Sequence, residues 1–339
     1  MSDLYEFIFS DQLPFADKMN QVFRFQFRNN LLFRDFSQAL GISDQKEFDP
    51  SDAPLLPIEA FRDHVVISCS EIPLLQFKSS GTAGSRRSTH YIADPELYRL
   101  SVLKGMERVF PIGQYSFLFL LPGYSDNEHS SLIKMAEHLI SGEPDGLSGT
   151  FFTDEMERAE ALFHRIVEQQ KKPILFAAAF GLLDLLDTTE LRLPNCCQII
   201  ETGGMKTYRR EVTKSELRER LSHGFGIPLP QIHSEYGMCE LFSQMYAVSG
   251  EWFHTPPWVS VTIRDPENPL RVCDEGEEGR IGIIDLANYY SCSFILTEDR
   301  GIMNHAGEFQ VLGRGKGSEL RGCNFLFENG ISSEGSESN

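Results

Sequence analysis

Basic residues are scarce in this sequence of 339 residues: 31 lysines and arginines stand against 49 aspartates and glutamates, a formal net charge of −18. That balance argues against the basic face of a nucleic-acid binder and the polybasic patch of a membrane-surface module. An anionic substrate would need a local cradle of N–H groups, arginines or a metal ion. No run reaches the roughly 18 to 20 apolar residues that a membrane helix requires. The opening stretch, MSDLYEFIFSDQLPF, has no basic segment ahead of an apolar core, so no secretory signal is expected. The seven cysteines form no CxxC pair. Their odd number fits a reducing cytoplasm better than a disulfide framework, and their spacing offers no zinc site. A Walker GxxxxGK[ST] loop, an HExxH pair and a GxSxG elbow are also missing.

What is present is ordinary globular composition, 41% hydrophobic and 24% charged, over a length that suggests two domains or one large domain with subdomains. Near the N-terminus, Phe23, Phe25, Phe27, Leu31, Leu32 and Phe33 could form one helical apolar face. From about residue 76 to 235, short apolar runs alternate with helical segments. SFLFLL (116–121), ILFAAA (174–179) and CQIIE (197–201) read as buried strands. Asp94 before Pro95 reads as a capped helix start running to Phe110, and Thr213 with Glu216 has capping-box spacing. His129, beside two serines, reads as a helix-capping surface residue. The alternation predicts an α/β fold with a largely parallel sheet. After residue 250, WVSVTI (258–263), RIGIID (280–285), SFILT (293–297) and EFQVLG (308–313) predict a β-rich subdomain. The expected organisation is an α/β core over 1–250, the β-rich subdomain over 251–325 and a polar tail over 326–339.

Four motifs carry candidate chemistry. The run 79–88, SSGTAGSRRS, combines small residues that let backbone approach a phosphate with hydroxyls and two arginines. By itself it is more often a flexible turn. Glu201-Thr202-Gly203-Gly204 follows the CQIIE strand, where open α/β sheets bind ligands. A plain strand-to-loop turn explains it equally. In Glu235-Tyr236-Gly237-Met238-Cys239-Glu240, the tyrosine could stack on a base and the last carboxylate could hold Mg²⁺. The alternative is a strand end with a surface glutamate. Thr297-Glu298-Asp299-Arg300-Gly301 and Gly313-Arg314-Gly315-Lys316 could fix ribose hydroxyls or be two solvated turns.

In this order the motifs resemble the adenylate-forming superfamily of acyl-CoA synthetases, peptide-synthetase adenylation domains and firefly-type luciferases. The nearest branch is similar to the acyl-protein synthetase of bacterial fatty-acid reductase systems. TGGMKTYRREVTKSEL, EYGMCELFSQMY, HTPPWVSVTIRDPE and RGCNF carry that likeness over most of residues 55–325. The resemblance implies the large-domain fold of that superfamily, a carboxylic acid substrate, and Mg-ATP giving an acyl-adenylate. It implies phosphate contacts from Ser79, Ser80, Gly81, Thr82 and Gly84. It further implies an adenine pocket of Gly203, Gly204 and Tyr236, a Mg²⁺ ligand in Glu240, and ribose contacts from Asp299 and Arg314. Departures are Ala83 and Cys239, each where threonine is usual, and Arg87 where lysine is common. Only 25 residues follow Arg314 (339 − 314), so no full mobile C-terminal domain is expected. Cys323 matches the branch's acyl acceptor, whose thiolate would be the nucleophile. The acyl group would pass on to an acceptor protein such as a reductase, or to CoA. The alternatives are an AMP-forming acyl- or aryl-CoA ligase and a non-catalytic acyl- or nucleotide-binding protein.

Overall fold

The N-terminal aromatic stretch folds into two helices instead of one continuous face. The computed structural model describes residues 2–79, 87–120, 128–143, 145–151, 155–203 and 212–314. It opens with α1 (Ser2–Phe9), α2 (Phe15–Asn29) and α3 (Leu31–Ala39). Asn30 makes the break, because its side chain accepts the Phe33 N–H and caps α3. Phe23, Phe27 and Phe33 are buried, Phe25 instead stacks on Tyr289 at 4.1 Å, and Leu31 is 62% exposed.

After β1 (Leu56–Pro57), α4 (Ala60–Asp63), β2 (Gln76–Lys78) and β3 (Thr89–Tyr91) comes α5 (Pro95–Val109). Asp94 caps α5 by accepting the N–H groups of Glu96 and Leu97, both at 3.1 Å, and Pro95 starts the first turn as its spacing predicts. The alternating region then yields β4 (Tyr115–Leu120), α6 (Ser131–Ser141), β5 (Gly149–Phe151), α7 (Met156–Glu168), β6 (Lys172–Ala178), α8 (Ala179–Thr188), β7 (Gln198–Thr202), α9 (Lys214–Phe225), β8 (Ile232–Tyr236) and β9 (Met245–Ala247). Ser130, not His129, caps α6, while His129 reaches back to β2 through the Gln76 carbonyl. The capping box of Thr213 and Glu216 forms at the head of α9.

These strands make a six-stranded sheet in the order β5-β4-β6-β7-β8-β9, parallel except for β9. Alternate side chains go to opposite faces, so Phe117 and Phe119 join one core while Leu118 and Leu120 join the other. Helices α7, α8 and α9 cover the second face, and α5 and α6 pack on the first. Burial on both faces explains why these strands read as unbroken apolar runs.

The remaining strands are β10 (Val259–Arg264), β11 (Gly279–Asp285), β12 (Phe294–Met303) and β13 (Phe309–Arg314). They form a second sheet, antiparallel apart from β1, which lies parallel to β12. At Gly282, where β11 shifts register, an added Cβ would strike the Leu55 side chain. The sheets share one hydrophobic core that also includes α2, α3 and α5. Gln26 of α2 ties into it by donating to the carbonyls of Asn288 and Tyr289 and accepting the Ser293 N–H.

Candidate active site

The carboxyl ends of β7 and β8 lie side by side, the place where parallel α/β sheets present ligand-binding turns. Gly203 follows β7 with φ at +90°, a conformation that disfavours any side chain. Gly204 lies outside the described residues. Tyr236 ends β8 and is almost fully buried. Its hydroxyl donates to Asp299 Oδ2 at 2.8 Å, and Arg314 Nε approaches Asp299 Oδ1 at 3.4 Å. Asp299 and Arg314 are direct cross-strand partners between β12 and β13. Three residues far apart in sequence therefore meet where the two sheets join. Asp299 lies within a strand, which excludes the solvated-turn reading. Phe253 and Phe309 hold the Tyr236 ring at 5.9 and 5.8 Å. Burial, then the Asp299 charge, pushes the Tyr236 hydroxyl well above its usual range, so it stays protonated and donates.

Strands β2 and β3 pair on either side of residues 79–88. Ser79 N–H donates to the Ser88 carbonyl at 3.1 Å, and Ser88 N–H returns to Ser79 Oγ at 2.9 Å. Ser79 and Ser88 thus extend the pairing of the two strands. Ser80, Gly81, Thr82 and Gly84 lie outside the described residues, as does Cys323.

His90 on β3 connects this hairpin to the Glu240 segment. Its Nδ1 lies 2.7 Å from the Cys239 carbonyl, which can only accept, so Nδ1 carries the proton. The ring is enclosed by Phe61 and Phe242, and burial lowers its pKa to about 4. His90 is therefore neutral near pH 7. Glu240 is buried, not on the surface, and Asn288 Nδ2 donates to its backbone carbonyl at 2.8 Å. Asp285, at the end of β11, gathers the N–H groups of Phe242, Ser243 and Ala287 and the Ser243 hydroxyl at 2.8 to 3.1 Å. Ser243 Oγ also takes the Trp258 indole N–H at 2.9 Å and meets Ser101 Oγ at 2.9 Å. Burial pushes the Asp285 carboxyl up to about 6, although its hydrogen bonds pull the other way. The sequence reading missed Asp285, His90 and Trp258. The sole cue to Asp285 was a carboxylate ending the apolar run RIGIID.

Beneath the two turns lies a pair of buried carboxylates. Glu201 on β7 takes Lys214 from α9 and the Ser234 hydroxyl. Glu235 on β8 takes the Thr202 hydroxyl. Burial, with Glu201 adding to it, raises Glu235 to about 7.

Among the described residues no group of three or more His, Cys, Asp or Glu could hold a metal ion. Mg²⁺ beside nucleotide phosphates needs only one or two protein carboxylates, the rest being phosphate and water oxygens. Glu240, whose backbone is held next to the hairpin, brings one such carboxylate.

Residues 150–331, more than half of the chain, match the family described as acyl-protein synthetase, LuxE. Comparison with curated proteins gives no match. Among solved structures, an ATP-bound RpMatB-BxBclM chimera aligns with a TM-score of 0.53 and 16% identity, over 73% of this chain and 49% of that one. A 2-hydroxyisobutyryl-CoA ligase in complex with 2-HIB-AMP and CoA aligns with a TM-score of 0.62 and 13% identity, over 88% of this chain and 69% of that one. McyG A-PCP with phenylalanyl-adenylate gives 0.51 and 15%, over 70% and 46%. The chain spans about half the length of the chimera and of McyG, and about two thirds of the ligase. These likenesses establish the fold of the adenylate-forming enzymes, centred on their large domain. With the family match covering both the Tyr236–Glu240 turn and the Asp299–Arg314 pair, the chain belongs to the acyl-protein synthetase (LuxE) family.

Proposed function

We propose that this chain activates a carboxylic acid with Mg-ATP to an acyl-adenylate and passes the acyl group to the thiol of Cys323. The observation that carries the reading is the meeting of Tyr236, Asp299 and Arg314 at the strand ends where the two sheets join. The ATP and adenylates held by the structural neighbours support the same chemistry. Ser79, Ser80, Gly81, Thr82 and Gly84 would cradle the phosphates. Gly203, Gly204 and Tyr236 would line the adenine pocket, and Asp299 with Arg314 would hold the ribose. Glu240 would hold Mg²⁺, which when bound neutralises phosphate charge.

A carboxylate oxygen of the acid attacks the α-phosphorus. The new P–O bond forms as the bond to the β-phosphate oxygen breaks, and pyrophosphate leaves with that electron pair. Two anions must meet, so the contribution of the chain is positioning and charge stabilisation. Cys323, having lost its proton to solvent, then attacks the acyl carbonyl carbon. The C–S bond forms, the C–O bond to phosphate breaks and AMP departs. Arg321, two residues away, would favour the thiolate in an extended segment. A reducing cytoplasm would keep the thiol free, and an acceptor protein such as a reductase would take the acyl group onward.

ATP–pyrophosphate exchange across a panel of fatty and aryl acids tests the first step. Intact-mass spectrometry tests the second, with a hydroxylamine-sensitive acyl adduct expected on Cys323. Cys323→Ser should keep pyrophosphate release and lose the thioester. Release of AMP only when CoA is added, without an adduct, would replace the carrier reading with a CoA ligase.

A further inference from the structure

Glu235 is the residue before the tyrosine of its motif, and its side chain reaches both ligand-facing turns. Across the β7–β8 ladder it is the direct partner of Thr202, whose hydroxyl donates to Glu235 Oε2. Thr202 immediately precedes Gly203, the residue with φ of +90°. On the other side, a Cβ added to Gly237 would collide with Glu235 Oε1. The carboxyl is therefore wedged between the hydroxyl that starts one turn and the backbone that starts the other. It is 6% exposed, and among the described residues no cation forms an ion pair with it.

We propose that Glu235 is a positioning residue: its carboxyl, held between Thr202 and the Gly237 backbone, fixes the spacing of the Gly203 and Tyr236–Gly237 turns and so sets the affinity for ATP. The inference rests on the adenylation reading. Tyr98 of α5 and Tyr246 of β9 face Glu235 from the adjoining elements, while Glu201 of β7 and Lys214 of α9 act on it through the sheet. The phenols are neutral near pH 7, because burial raises both above their usual range. Lys214 already pairs with Glu201, so an ionised Glu235 would have no cation of its own to offset its charge. A neutral carboxyl can stay wedged in this place, whereas a carboxylate draws toward water and loosens both turns. Raised to about 7, the group changes state near neutrality.

The test measures KM for ATP and kcat in pyrophosphate exchange from pH 6 to 8.5, with calorimetric ATP binding alongside. In the wild type, KM should rise several-fold across that range. Glu235→Gln keeps the shape and an acceptor for Thr202 without the charge, and should hold the low KM throughout. Glu235→Ala should raise KM roughly tenfold at every pH, about 1.4 kcal/mol of binding, with kcat within about twofold of wild type. If Glu235→Ala fails to fold, the Gln variant decides alone. A Gln profile that superimposes on the wild type overturns the inference, as does an Ala variant that loses kcat at unchanged KM. Those results leave the adenylation reading standing. A wild type that neither exchanges pyrophosphate nor binds ATP overturns both.

Discussion

Two buried carboxylates bracket the Tyr236–Gln244 segment, and they are held very differently. Asp285, at the end of β11, accepts four hydrogen bonds and lies at about 6. Glu235, at the end of β8, accepts one from Thr202 and lies at about 7. Burial is the leading cause of both shifts, and hydrogen bonds to the charged form oppose it. Asp285 therefore acts as a structural knot. It fixes the backbone after Glu240 through the N–H groups of Phe242 and Ser243. Glu235 is a lightly tied wedge near neutrality, so its state can follow pH.

The largest expected effect comes from untying the knot. Asp285→Ala leaves three N–H groups and a hydroxyl without their acceptor inside the core. The expected loss is about 4 kcal/mol of stability, read from urea denaturation. Asp285→Asn keeps an acceptor and should lose about half as much. An Ala variant that denatures with the wild type would erase the contrast between the two carboxylates.

The next effect sharpens the comparison through pH. A carboxyl whose folded-state value is raised favours the folded state when protonated. For Glu235 that contribution is complete below its unfolded value of 4.5 and is lost as pH climbs through about 7. For Asp285 the corresponding window runs from 3.8 to about 6. The contribution of these two carboxyls should thus fall from pH 4 to 7.5, with at most about 3 kcal/mol from Glu235. His90 works the other way, since its lowered value removes stability as pH falls from 6.5 through about 4. Thermal melts of wild type and Glu235→Gln should converge near pH 5 and separate by pH 8, the variant being the more stable. Parallel melts at all pH values would show that Glu235 does not titrate in the folded state.

Much of this architecture was legible in the sequence, for identifiable reasons. Strands buried on both faces must be apolar without interruption, which is why β4, β6 and β7 stood out. The caps at Asp94 and Thr213 were visible because a cap uses one residue type at one spacing. The single apolar face expected over Phe23 to Phe33 failed because Asn30, inside that run, caps a second helix. At the site, motif order alone singled out Tyr236, Asp299 and Arg314, and the fold brings the three into hydrogen-bond contact. Asp285 and His90 escaped because a single buried polar residue has no period, and Glu235 stood in its motif without a role of its own. What each one does depends on which partner the fold brings to it. The expectations for Ser80, Gly81, Thr82, Gly84, Gly204 and Cys323 fall outside the described residues.

Glu240 tests what the knot is for. Glu240→Gln preserves shape in a segment already fixed by His90, Asn288 and Asp285. The expected result is a roughly 100-fold drop in exchange at limiting Mg²⁺, about 2.7 kcal/mol, with little change in melting temperature. An unchanged rate with the fold intact would remove Glu240 from the metal site.

The smallest effect belongs to Tyr236→Phe, which separates ring from hydroxyl at the sheet junction. The ring keeps its contacts with Phe253 and Phe309, so packing is preserved. What is lost is one hydrogen bond to Asp299, worth about 1 to 2 kcal/mol because its acceptor is charged. Asp299 keeps its cross-strand partner Arg314, so the strands stay in register. The hydroxyl stays protonated well past neutrality, so the loss should be independent of pH from 6 to 8.5. If Asp299 grips the ribose, an unanchored carboxylate should raise KM for ATP by roughly three- to tenfold and leave kcat nearly unchanged. A pH-independent increase here, beside the pH-dependent one expected at Glu235, would distinguish two neighbours on one strand. Equal pH dependence in Tyr236→Phe and the wild type, with no change in KM, would mean that the Tyr236–Asp299 bond serves the fold alone.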